Sequence, residues 1–187
     1  MRSLIKGKKR EMKKLCISLI LIAIIVLSGI AQILPQNQVQ KEYLRIHVRA
    51  NSNSELDQSV KYLVKNRVVD YLTPYIAQCD TKQKAERMLK DNLSAIENIA
   101  STTLKNSGFS YLAKASLKSE SFPTRTYKNL ELKAGVYDAL ILELGDAKGD
   151  NWWCVVYPPL CFVGEGQGVV YRSKILQVIS DFFEKKE

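Results

Sequence analysis

Apolar residues alternate from Tyr43 to Ala50, with Leu44, Ile46, Val48 and Ala50 on one side and Tyr43, Arg45, His47 and Arg49 on the other. That period of two predicts a strand buried on its aliphatic face and polar on the opposite one. Asn51-Ser52-Asn53-Ser54 breaks it, and Ser54 with Asp57 three residues on resembles a capping box. The period then becomes helical. Leu56, Val60, Leu63, Val64, Val68, Tyr71, Leu72, Tyr75 and Ile76 predict a helix over about 55–77, kinked or broken near Pro74. Ala85, Met88, Leu89, Leu93, Ile96, Ile99, Ala100 and Leu104 predict a second over about 81–105, stopped by Gly108 in a left-handed cap. Strands follow over Tyr111–Ser121, Val136–Leu144 and Trp152–Tyr157, then helical spacing over 171–184 with Ile175, Leu176, Ile179 and Phe183 on one side. The order strand, helices, strands, helix favours an α+β fold: a helical pair packed on an antiparallel sheet.

The N-terminus follows a different logic. Residues 1–14 hold seven bases against one acid, so much of the formal charge of +9 sits there. Leu15 to Gln40 contains no charged residue, and Leu15–Ala31 is almost wholly apolar. A basic segment before an apolar one predicts export with the N-terminus inside. Residues 1–34 read as a signal peptide or a membrane anchor, with Gly29 and Ala31 small at −3 and −1 of a cut before Gln32. Residues 35–41 read as a tether, 42–163 as the folded domain and 164–187 as a C-terminal helix. The domain itself is only mildly basic, so nucleic acid is not expected as a partner.

Candidate chemistry is sparse. His47 is the single histidine and sits on the predicted polar face, either as a rim residue or as a general base. Neither metal-ligand spacing nor an EF-hand occurs, and Gly145, Lys148 and Gly149 lack Walker A spacing, so neither metal nor cofactor is expected. Cys154 and Cys161 bracket Val155–Leu160 with its Pro158-Pro159 reversal. Outside the cell they form a disulfide, two buried thiols, or one catalytic thiol. Trp152 and Trp153 are neighbours on a strand and so face opposite ways. Either one is core and the other displayed, with Tyr157 and Phe162 available to extend an aromatic contact, or a helix covers both. The polar face of Arg45, His47 and Arg49, next to the Asn51–Ser54 turn, is the second candidate contact surface.

Three blocks carry a resemblance. They are LRIHVRANSNSELDQSVK at 44–61, FPTRTY at 122–127, and AGVYDAL at 134–140 continuing through LGDAKGDNWWCVVYPPLCF at 144–162. Together they resemble the stage II sporulation protein R family of endospore-forming bacteria, with His47 and Asp138 departing from its pattern. The resemblance implies a signalling protein rather than an enzyme, exported from the forespore into the intermembrane space. Its implied partner is the membrane-embedded aspartic protease that processes pro-sigma-E in the mother cell. The competing readings are an exported cell-envelope hydrolase using Cys154 or Cys161 with His47, and a membrane-tethered structural protein.

Overall fold

The structure, a computed structural model, describes residues 40–162 and 169–185. The predicted signal or anchor segment lies outside the described residues. Among those described, no helix is long and apolar enough to cross a membrane.

Strand β1 (Leu44–Arg49) leads into helix α1 (Glu55–Ile76). Ser54 caps α1 by accepting from the Asp57 amide at 3.1 Å. The Asp57 side chain does not close the capping box; it turns to other partners, described below. Pro74 lies inside α1, in its last turn; it withholds one backbone donor from the ladder, yet the helix runs on to Ile76. The predicted helix over 81–105 is two helices, α2 (Lys82–Asp91) and α3 (Leu93–Asn106). The break is at Asn92, whose side chain donates to the Met88 carbonyl at 2.8 Å and accepts from the Tyr71 hydroxyl at 2.6 Å. An asparagine that finds local partners competes with the helical ladder. At the end of α3, Gly108 has φ +85°, and Phe109 and Gly108 donate back to Leu104 and Lys105, which closes a Schellman cap as the sequence predicts.

The remaining elements are β2 (Ala113–Phe122), β3 (Arg125–Tyr127), β4 (Leu130–Leu132), β5 (Gly135–Leu144), β6 (Asn151–Tyr157), a 3₁₀ turn (Leu160–Phe162) and α4 (Val169–Glu184). β3 and β4 form a separate small hairpin. The main sheet has the order β2-β5-β1-β6. It is mixed, which corrects the antiparallel expectation: β1 runs parallel to β5 and antiparallel to β6. Parallel pairing needs a long crossover, and the helices between β1 and β2 supply it.

Both faces of the sheet are covered. Leu44, Ile46, Val48, Leu140, Leu142, Leu144 and Val156 pack on one face against Val64, Val68, Leu72, Leu89, Ile96 and Leu104 of the helices. The opposite face carries a second cluster of Tyr43, Phe122, Leu132, Tyr137, Ala139, Ile141 and Val155. A central strand with two covered faces reads as a continuous apolar run, as β5 does. β1 lies just as centrally yet carries Arg45 and His47 into that second layer, and both are buried. The expectation of a polar, solvent-facing side for Arg45 and His47 is therefore corrected.

Candidate functional site

The second face of the sheet buries an arginine and a histidine, Arg45 and His47. Arg45 has no exposed surface, and its guanidinium lies over Phe122 at 4.2 Å, with Tyr137 at 4.9 Å and Tyr127 at 5.7 Å. Its Nη2 donates to the Tyr127 hydroxyl at 2.6 Å, while Nε and Nη1 have no hydrogen-bond partner. No carboxylate is bonded to it. Desolvation pushes its pKa down, partly offset by Tyr127. The aromatic faces supply the compensation that an ion pair usually gives.

His47 follows two residues on. Its ring stacks on Trp153 at 5.3 Å and tilts against Phe122 at 5.7 Å. Nδ1 lies 3.3 Å from Glu120 Oε2. That carboxylate is already paired with Arg49, which also donates to Glu143 at 2.8 Å. Desolvation consequently wins, and the imidazole is pushed down to about 4. His47 is neutral at pH 7, and the cluster around it is Arg49 shared between two acids.

Trp153 is half-buried on this face. One side of its indole meets His47; the exposed Arg125 of the β3–β4 hairpin lies over its ring at 4.3 Å. Trp152 is also half-buried, but packs on the helical side with Lys65 over its ring at 5.3 Å. The two indoles thus face opposite layers, and neither is wholly core or wholly displayed. Tyr157 and Phe162 are buried, so the aromatic patch that sequence placed around them is packed inside the domain. Tyr157 donates to the Asp80 carbonyl at 2.7 Å. Cys154 and Cys161 are joined in a disulfide, with Cα atoms 6.2 Å apart. Neither sulfur is a free thiol in that state. Cys79 is the free cysteine of the described residues; it is buried, and burial pushes its thiol pKa up.

The Asn51–Ser54 turn belongs to a different construction. Asp57 accepts from Ser52 Oγ at 2.5 Å, Asn51 Nδ2 at 3.0 Å and Tyr111 OH at 2.5 Å. Burial pushes its carboxyl up, but the bonds from Ser52, Tyr111, Asn51 and Ser54 outweigh that and hold it below the usual range. Asn51 Oδ1 accepts from the Asp146 amide at 2.9 Å and Asn53 Oδ1 from the Asp150 amide at 2.5 Å. Lys61 donates to the Asp150 carbonyl at 3.0 Å and to Gln58 at 2.6 Å. At Gly149 the backbone passes so close to Ser52 that an added Cβ would lie 2.1 Å from the Ser52 carbonyl oxygen. The NSNSELDQ stretch and the GDAKGDN loop are therefore one bracket, holding the start of β6 in place. Asn51 serves this bracket and lies apart from the aromatic layer.

The family model for stage II sporulation protein R matches residues 40–167. This chain belongs to that family. It is 31% identical over 136 residues to stage II sporulation protein R of Bacillus subtilis (strain 168), covering 73% of this chain and 61% of that protein. The chain thus spans about three-fifths of the length of that curated relative. No solved structure matches it. The matched region contains the three sequence blocks, and the structure now separates their roles. The 44–61 and 144–150 stretches build the bracket and the sheet, while 122–127 and 151–153 bring Phe122, Arg125 and Trp153 together around His47. Sequence reading missed Arg125 and Glu120. FPTRTY marked Arg125 only as part of a motif, and nothing local shows that the hairpin folds back over β6.

Proposed function

We propose that this protein is an exported signal of sporulation that acts by binding, and that its partner is the membrane-embedded aspartic protease that removes the pro-sequence of sigma-E. Membership of the family supports the sporulation role. The N-terminal basic and apolar segment supports export into the space between the two sporangial membranes. The contact surface we assign is the rim of the second sheet face: Trp153, Arg125 and the Arg49–Glu120–Glu143 group.

One observation carries the assignment of the surface. Trp153 is a half-buried indole whose ring contacts both His47 and an exposed guanidinium. A large apolar ring fixed by its neighbours loses little conformational freedom on binding, and aromatic and Arg residues dominate interface energetics. The test is capture of the protease's outside portion by the wild-type chain and by Arg125→Glu and Trp153→Ala. Reversal of one exposed charge leaves the fold intact, so binding lost with Arg125→Glu supports the surface. Undiminished binding by both variants removes it.

A further inference from the structure

The outer edge of β6 is open over a defined stretch, and its geometry is set by hydrogen bonds at either end. β6 is the last strand of the main sheet. The Val155 amide donates to Cys161 Sγ at 3.1 Å, so it points away from β1. Peptide groups alternate along a strand, so those of Trp153 and Asn151 point the same way. By the same alternation, the opposed pairs Arg45–Val155, His47–Trp153 and Arg49–Asn151 are the ones that exchange no bonds across the ladder. Asp150, just before Asn151, points the other way, and its amide and carbonyl are bonded on the β1 side to Asn53 and Lys61, which fixes where the strand begins. Among the described residues no backbone group pairs with the outward amides and carbonyls of Asn151 and Trp153.

We infer that this edge is the place where the partner docks, by adding a short extended segment of its own chain to β6. The inference rests on the reading of the protein as a binding signal and names its mode of contact. Native edges that bind nothing are blunted by prolines, inward charges or covering loops. Here the disulfide and the 3₁₀ turn cover the Val155 end and the bracket fixes the Asp150 end, but among the described residues nothing pairs with the middle. Main-chain bonds would give affinity, and the two indoles, one on each face, would supply pockets for alternate side chains of the added strand. Charge selects the occupant. Arg125 lies over Trp153 on one face and Lys65 over Trp152 on the other. An incoming segment with acidic side chains is complementary on both faces. A second copy of this chain pairing through β6 would bring Arg125 and Lys65 of both copies to one seam, which like-charge repulsion disfavours.

Amide hydrogen exchange on the full chain in detergent tests this, with and without the outside portion of the membrane-embedded protease. Alone, the Asn151 and Trp153 amides should exchange rapidly while those of Trp152 and Cys154 are protected by β1. With the protease fragment, the Asn151 and Trp153 amides should slow by about tenfold or more, giving an unbroken run of protection. Asn151→Pro, which deletes an outward donor without touching β1, should weaken binding roughly 2- to 12-fold relative to Asn151→Ala, the worth of one hydrogen bond. Binding with both outward amides still fast overturns strand addition and leaves the signalling reading standing. No binding at all overturns both. Protection that appears without the fragment and grows with protein concentration assigns the edge to a second copy, and overturns the inference.

Discussion

Trp153 and His47 face each other across the β1–β6 ladder, their rings stacked 5.3 Å apart at an angle of 28°. The contact joins a buried titratable group to the half-exposed indole that we place at the partner interface. It also explains why the imidazole is neutral: Trp153 and Phe122 exclude water from it, and the nearest carboxylate is committed to Arg49.

A pH dependence follows. His47 is pushed down to about 4 in the folded state, against about 6.5 in an unfolded chain. Between those values the unfolded state binds more protons, so stability is full above about pH 6.5 and falls as pH drops towards 4. The total loss expected from this one group is about 3 kcal/mol. Urea melts of the domain between pH 7 and 4.5 check it, and His47→Phe should flatten that slope. An equal slope in the variant assigns the effect to other groups.

The bracket around Asp57 should be structural. Asp57→Ala strands Ser52, Asn51 and Tyr111 and should cost about 3 kcal/mol; Tyr111→Phe, which removes one partner only, should cost about 1–2 kcal/mol. Chemical denaturation measures both. If Asp57→Ala leaves stability unchanged while abolishing signalling, the aspartate belongs to the interface instead.

The disulfide closes a loop with a separation of seven residues. In the chain-entropy model such a closure is worth about 2.5 kcal/mol. Cys154→Ala with Cys161→Ala should lower stability by about that amount. Thiol counting on the native domain from Gln40 should find no fast-reacting cysteine, and on the denatured domain one, Cys79. Three reactive thiols after denaturation would refute the pairing.

The two tryptophans should separate. Trp152 packs against the helical core, so Trp152→Ala should cost about 3 kcal/mol of fold stability. Trp153→Ala should weaken signalling more than stability accounts for, and Arg125→Glu should weaken signalling with the melting temperature unchanged. Normal signalling by a folded Trp153→Ala protein would remove the indole from the interface.

Local patterns in the chain predicted local structure well. The Ser54 cap, the run of α1, the Gly108 stop and the opposite facing of Trp152 and Trp153 each depend on residues within a few positions of one another. The larger misreadings were non-local. Alternation in β1 assigned Arg45 and His47 to one face but carried no information about whether a second layer covered it. That layer comes from Phe122, the three-residue strands of the β3–β4 hairpin and Tyr137, too short or too far along the chain to register as a lid. Parallel pairing of β1 with β5 depends on a crossover of some ninety positions, which no window sees. Asn92 breaks a helix with a local bond to Met88 and a second one from Tyr71 on another helix, and only the first lies within reach of a sequence window. The candidate site divided in the same way: the motif residues were visible, while Arg125 and Glu120 were assigned by the fold.

In the proposed role, this chain switches on a protease from outside the membrane. Co-expression of the full chain with the membrane-embedded aspartic protease and pro-sigma-E, in a host without other sporulation genes, tests it directly. Immunoblotting should show mature sigma-E only when this chain is present with its N-terminal 34 residues, and loss of processing when they are deleted. Unprocessed pro-sigma-E in the presence of the exported chain, or equal processing by a chain confined to the cytoplasm, would contradict it.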